Sequence, residues 1–449
     1  MAAIPLISHD DPDSAFAYRD GQPVPVSRFL QDVAQLARHL PDQQYLLNLC
    51  TDRYHFAVSF AAALLRGQTS LLPPNYTPSF VERLGQSYPD MYCLADGEVD
   101  FPGVEITHYP QLPETDATMR TIPGIPSMPA IPSEQRAALV FTSGSTGHPV
   151  AHPKSWGSLC QGATAEAISL GIAQNSGMAV LGTVPSQHMY GLESCMLLAM
   201  QNGLALVAER PFYPADICAQ LKALPQPRCL VTTPVHLRTL LSDATELPAI
   251  EFVLCATAHL APQLASEAEA RFAAPLYEIY GCTEAGMVAI RRTTRGAAWN
   301  LLPAIALWQD EHGSHVRGGH VEIEAPLSDV IVLNADGTFT LHGRTTDLVN
   351  IAGKRTSLSS LNHHLNEIPG VQDGVFFMPD DSDDTMRRPL AFVVASGLRS
   401  EDILSALRNC VDAAFLPRPV YFVEALTRNA TGKVTRETLM QLLEQCAKK

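Results

Sequence analysis

Thr142-Ser143-Gly144-Ser145-Thr146-Gly147 follows directly on the apolar run AALVF. Two glycines among four hydroxyl residues make a loop whose backbone N–H groups and side-chain donors can close around a polyphosphate. No G-K-[ST] follows, so this is not a Walker loop, and taken alone it fits a Ser/Gly surface turn equally well. A second polar segment, Gly281-Cys282-Thr283-Glu284, closes the run LYEIY. Glu284 suits magnesium, which takes oxygen ligands and keeps several waters, while Thr283 could donate to a phosphate and Tyr280 could stack on a base. Asp329 and Arg344 offer a carboxylate for ribose hydroxyls and a guanidinium behind it, though such residues also pair with one another. Near the C-terminus, Arg428-Asn429-Ala430-Thr431-Gly432-Lys433 presents a lysine after a glycine, for which an exposed turn is the plainer reading.

The elements that must position these residues follow from the apolar pattern. Ser27 to Leu40 and Tyr54 to Arg66 read as helices, with QYLLNLC as a buried strand between them. Phe101 to Pro132, rich in Pro, Thr and Gly, reads as a long surface connection. From Arg136 the runs AALVFTSG, MAVLGTVPS, LALVAE, CLVTTP, FVLCATA and LYEIYG alternate with amphipathic segments. That alternation predicts an α/β fold of helix-covered, mostly parallel sheet, with ligands beyond the carboxyl ends of the strands. Beyond Gly319 the runs HVEIEA, DVIVLN and TFTLHG predict a β-rich portion, and the last hundred or so residues predict a small α+β unit. Its helices are expected over Leu358 to Glu367 and Glu401 to Phe415, and its strands include GVFF and LAFVV. A chain of 449 residues should divide into more than one domain, here 1–344 and 345–449.

A formal charge of −15 argues against non-specific nucleic-acid binding. Ten scattered cysteines without a C-x-x-C pair point to neither zinc nor redox chemistry and fit a reducing compartment. No secretory signal and no uncharged stretch long enough for a bilayer is visible, so a cytoplasmic location is expected.

Taken in order, TSGSTGHP, PSQHMYG, EIYGCTEAG, the Asp329 to Gly337 segment, HGRTTDLVNIAGKR and RNATGKVTR resemble the adenylate-forming superfamily of acyl-CoA synthetases, nonribosomal-peptide adenylation domains and luciferases. The resemblance covers nearly the whole chain. It implies ATP-dependent activation of an aryl or fatty carboxylic acid to an acyl-adenylate. The acyl group would then pass to the thiol of CoA or of an acyl-carrier protein's phosphopantetheine. By this resemblance Thr142 to Gly147 wrap the β- and γ-phosphates, and Thr283 and Glu284 serve the α-phosphate and magnesium. Ala256-Thr257-Ala258, Tyr280 and Gly281 flank adenine, and Asp329 and Arg344 hold the ribose. Lys433 is the catalytic lysine of a mobile C-terminal domain, whose hinge lies near Thr346 and Asp347. His188, Tyr190, Thr233, Ala258 and Met287 are the expected acyl-pocket residues.

The chain also departs from the family. Val150 stands where most relatives carry the loop lysine, and Lys154 in HPKSWG either replaces that charge or begins a helix; it is placed here with the ATP-binding set. A lysine followed by Trp resembles short synthetases of bacterial aryl-polyene-type pathways. Thr346 replaces the usual hinge aspartate, and the trimmed N-terminal region puts the usual CoA contacts in doubt. A non-catalytic nucleotide-binding protein of the same fold is the rival reading; a serine hydrolase is set aside because no G-x-S-x-G elbow is present. Nothing in the pattern selects a particular acid, CoA over a carrier protein, or an oligomeric state.

Overall fold

Short β-branched and leucine-rich runs bounded by turn residues become strands, and two large sheets result among several smaller ones. The computed structural model describes residues 2–73, 75–101, 103–112, 128–143, 149–243, 246–258, 260–311, 313–344, 348–351, 354–379, 388–428 and 434–447. The first sheet orders Pro149–Ser155, Arg136–Ser143, Thr69–Leu72, Tyr45–Asn48, Met91–Ala95 and Glu105–His108. All neighbours in it run parallel except the edge pair Pro149–Ser155 with Arg136–Ser143. The second, nine-stranded sheet has a parallel centre of Ala15–Arg19, Ala205–Val207, Ala179–Gly182, Arg228–Thr232, Val253–Cys255 and Leu276–Cys282. Antiparallel strands Gln22–Pro25, Gly286–Arg291 and Asn300–Leu301 complete its edges.

Two expectations change. The run AALVF does not join the sheet formed by the later runs but pairs with N-terminal strands, because Thr69–Leu72 arrives beside it in parallel register. The segment expected as a surface connection holds two short strands: Glu105–His108 extends the first sheet, and Ala130–Pro132 pairs antiparallel with Ala3–Pro5.

The helix Arg53–Leu65 touches strands of both sheets, which is why its hydrophobicity goes all round instead of following one face. Asp52 caps it by accepting from the N–H groups of Tyr54 and His55. Arg53, 1% exposed, donates to the carbonyls of Gly182, Val184 and Val207, so the buried guanidinium is satisfied at the carboxyl ends of two central strands. The helix Trp156–Leu170 starts in a tight seat: Trp156 is fully buried, and a Cβ on Gly157 would lie 2.9 Å from the Ser133 carbonyl. Lys-Ser-Trp-Gly is thus in part a packing signature, with Ser155 as the helix cap.

Past the β-rich strands Gly313–Gly318, Val321–Leu327, Asp329–Leu333 and Phe339–Arg344, the chain builds cores of its own. Two apolar clusters, around Leu365 and Phe376 and around Phe392 and Leu439, contain only residues beyond 350. The helix expected over Glu401 to Phe415 ends at Leu407, and a short 3-10 turn, Ala413–Phe415, follows where Asp412 accepts from the Ala414 N–H. Among the described residues no helix is long and apolar enough to cross a membrane.

Candidate active site

Four central strands of the second sheet deliver their carboxyl ends to one edge. Beyond Ala179–Gly182 lies Pro185 to Gly191, and beyond Arg228–Thr232 lies Thr233. Beyond Val253–Cys255 lies Ala256 to Ala258, and Leu276–Cys282 ends at Thr283-Glu284. The parallel register makes these turns neighbours, as expected of ligand sites in open α/β sheets. Thr257 holds φ at +82°, a left-handed conformation that a β-branched residue adopts only under constraint and that clusters at ligand sites.

The residues expected around adenosine come from three strands. Tyr280 donates its hydroxyl to the Asp329 carboxylate at 2.7 Å, and its ring stands 5.7 Å from Trp299 and 5.8 Å from Phe339. Asp329 is the antiparallel register partner of Arg344, so the two residues separated by a hairpin in sequence meet across it. The Arg344 side chain lies outside the described residues, as do Gly144 to Gly147, the Ser143 side chain, Thr346, Asp347 and Lys433.

The residues expected around the phosphates join the two sheets. Thr142 and Val150 are register partners in the antiparallel edge pair of the first sheet. The Thr142 hydroxyl lies 3.0 Å from His152 Nε2, and that nitrogen lies 3.8 Å from a Glu284 carboxylate oxygen. Burial lowers the His152 pKa, the Glu284 charge opposing it, which favours the neutral ring. Lys154 is 7% exposed, and its ammonium donates to the Glu284 main-chain carbonyl at 2.7 Å. The structure therefore puts the Lys154 charge beneath the Thr283-Glu284 turn and not in the loop before it. Burial lowers its pKa, and Glu193 is the chief charge working the other way. Glu284 itself is exposed, and among the described residues no group of three or more His, Cys, Asp or Glu could hold a metal. One exposed carboxylate beside a hydroxyl fits magnesium, which completes its shell with waters and substrate phosphates.

The residues expected to line the acyl pocket are more deeply set. His188 Nδ1 accepts from the Tyr190 N–H at 3.3 Å and caps the turn Met189–Gly191. A Cβ on Gly191 would lie 2.0 Å from the Pro185 carbonyl, so this tight return requires glycine. Tyr190 is 6% exposed, with its hydroxyl shared between the carbonyls of Thr232 and Leu254 at 3.2 and 3.0 Å. Thr233 is fully buried and bonded to His236 Nδ1 at 2.9 Å. Met287 packs under the Ser194 hydroxyl, 3.7 Å from its sulfur, and its carbonyl lies 2.6 Å from His320 Nε2. Ala258 is partly exposed beside Thr257. A π-helical stretch, Leu192–Leu197, follows directly and carries Glu193 and Ser194 inward.

His152, Glu166 and Glu193 are not among the residues expected at the site. Burial raises the Glu166 carboxyl to about 8 and the Glu193 carboxyl to about 7. One signal was available: His152 and Lys154 are two apart on a strand, so they share a face.

A family model for "AMP-binding enzyme" matches residues 91–336, more than half of the chain. The chain belongs to the AMP-binding enzyme family. Among curated members of similar sequence, 4-coumarate–CoA ligase of Rhodobacter capsulatus is 28% identical over 305 residues, covering 67% of this chain and 75% of that protein. 2-Succinylbenzoate–CoA ligase of Staphylococcus epidermidis is 24% identical over 335 residues, covering 68% and 69%. The fold matches o-succinylbenzoate CoA synthetase from Bacillus subtilis, solved with its acyl-adenylate intermediate, at a TM-score of 0.83 and 16% identity over 98% of both chains. ATP-bound MatB from Rhodopseudomonas palustris matches at 0.81 and 17% identity over 97% of both. At such identities the structural likeness speaks for an adenylate-forming fold.

Proposed function

We propose that this AMP-binding enzyme is an ATP-dependent acid–thiol ligase that activates an aryl carboxylic acid as its adenylate and transfers the acyl group to CoA. The observation that carries the reading is the meeting, at one sheet edge, of the Thr142–His152 contact, the Glu284 turn and the Tyr280–Asp329 pair. The ligases similar in sequence are named for CoA and for 4-coumarate and 2-succinylbenzoate, both ring-bearing acids. That favours an aryl acid over a fatty one and CoA over a carrier protein.

In the first step a carboxylate oxygen attacks the α-phosphorus and the bond to the bridging oxygen breaks, releasing pyrophosphate. Two anions must approach, so the chain's task is to place donors and positive charge around them. Thr142 to Gly147 would hold the outgoing β- and γ-phosphates, Thr283 the α-phosphate, and Asp329 with Arg344 the ribose. Magnesium held at Glu284 would supply charge neutralisation on the phosphates. Ala256 to Ala258, with Tyr280 and Gly281, would flank the base, and His188, Tyr190, Thr233, Ala258 and Met287 would shape the acid's pocket. Lys433 would come from the unit 345–449 to bridge both reactants. In the second step the thiol sulfur attacks the acyl carbonyl and AMP leaves, so Lys433 must withdraw, turning about Thr346-Asp347.

The test is carboxylate-dependent exchange of labelled pyrophosphate into ATP across aryl, cinnamyl and medium- to long-chain acids, with Lys433→Ala in parallel. Exchange with aryl acids is expected, lowered about a hundredfold or more in the variant, as for loss of a preorganised donor. Incubation with CoA and with a phosphopantetheinylated carrier protein then separates the two acceptors. Absence of exchange with every acid, despite ATP binding, would return the chain to a non-catalytic nucleotide binder.

A further inference from the structure

The hairpin turn between Leu276–Cys282 and Gly286–Arg291 carries Thr283 and Glu284 and is gripped from beneath at two main-chain points. On one side the Lys154 ammonium donates to the Glu284 carbonyl at 2.7 Å. On the other, Glu193 crowds Gly286, the first residue of the strand after the turn, where a Cβ would lie 2.7 Å from Glu193 Oε1. Gly286 holds φ at +80°, so this side of the turn is both conformationally special and closely overlaid. Lys154 and Glu193 are 7% and 4% exposed and come from different elements, an edge strand of the first sheet and the π-helical stretch after His188. A buried ammonium is costly to keep; Lys154 offsets that cost by donating to the turn's backbone, with the Glu193 carboxyl the chief opposing charge near it.

We propose that Lys154 and Glu193 are positioning residues that together clamp the Thr283–Ala285 turn, setting where the Glu284 carboxylate meets magnesium and the triphosphate. This rests on the reading of Glu284 as the magnesium-side carboxylate. Val150 in place of the loop lysine is then no deficit of charge in the site as a whole. The cation has moved under the turn, where it touches the protein's own backbone. It acts on the nucleotide through Glu284, and not by contact with a phosphate.

Equilibrium binding separates these roles. ATP affinity is measured by calorimetry with magnesium and with EDTA, on wild type, Lys154→Met, Glu193→Gln, the double variant and Glu284→Gln, beside thermal melts and the KM for the acid. Lys154→Met should weaken MgATP binding about tenfold, leaving ATP binding in EDTA and the KM for the acid within twofold. Glu193→Gln should move in the same direction by less, and the double variant should be no worse than Lys154→Met, since the pair acts as one device. If Glu284→Gln removes the magnesium-dependent gain and Lys154→Met leaves it whole, the clamp is wrong and the Glu284 reading stands. Equal loss with and without magnesium in Lys154→Met would make the lysine a direct phosphate ligand and also overturn the clamp. If Glu284→Gln itself keeps the full gain, the Glu284 reading fails and the clamp's role with it. Should Lys154→Met not fold, Glu193→Gln carries the same comparison.

Discussion

At the scale of single residues, the site depends on short hydrogen bonds between groups far apart in the chain. The Tyr280 hydroxyl and the Asp329 carboxylate, 2.7 Å apart, are the clearest case. A hydrogen bond to a charged group contributes roughly 1.5 to 3 kcal/mol, and here it aims the carboxylate expected to receive the ribose. Tyr280→Phe keeps the ring against Trp299 and Phe339 but removes that donor. Its ATP affinity should fall about tenfold, with about 1.4 kcal/mol lost, while the KM for the acid stays near wild type. ATP titration and acid kinetics on the same preparation check this.

Among the elements, the helix Trp156–Leu170 carries an unusual burden, because the Glu166 carboxyl is fully buried on it, with the Ser194 hydroxyl as its polar neighbour. Burial, reinforced by Glu193 and opposed by the Ser194 hydroxyl, raises its carboxyl from 4.5 to about 8. The folded state therefore holds this proton more tightly than the unfolded chain does. The stabilisation is fully present below about pH 4.5 and is lost as pH rises towards 8. Glu166→Gln cannot ionise. Relative to wild type it should gain stability between pH 5 and 8, on the order of 1 kcal/mol per pH unit. Thermal melts of both proteins across that range would show a widening gap, and a constant gap would mean that Glu166 is not neutral in the fold.

For the whole molecule, among the described residues, the apolar clusters beyond residue 350 share no member with those before it. A fragment ending at Arg344, the last residue of its strand, should therefore melt cooperatively on its own. It should bind ATP within a few-fold of the full chain, since Thr142, Tyr280, Thr283, Glu284 and Asp329 all remain, and it should lack pyrophosphate exchange, since Lys433 is gone. Calorimetry and exchange on the fragment test the division at 344/345 directly.

Local patterns decided much of this protein. The strand before Thr283-Glu284, the hairpin that pairs Asp329 with Arg344 and the apolar runs that become strands are legible because each is encoded within a few neighbouring residues. Most of the ten cysteines are buried. Other features took shape only in three dimensions. AALVF joins the N-terminal sheet because Thr69–Leu72 packs beside it, a choice that its composition does not express. Lys154 reads in sequence as a replacement for the loop charge or as a helix start, and it becomes a buried cation only when its strand is brought under the Glu284 turn, 130 residues away. Glu166 and Glu193 look like ordinary helix carboxylates until packing removes their water. The physical reason is range: propensity and turn chemistry act over a few residues, whereas burial, register and charge pairing across sheets depend on where the rest of the chain comes to lie.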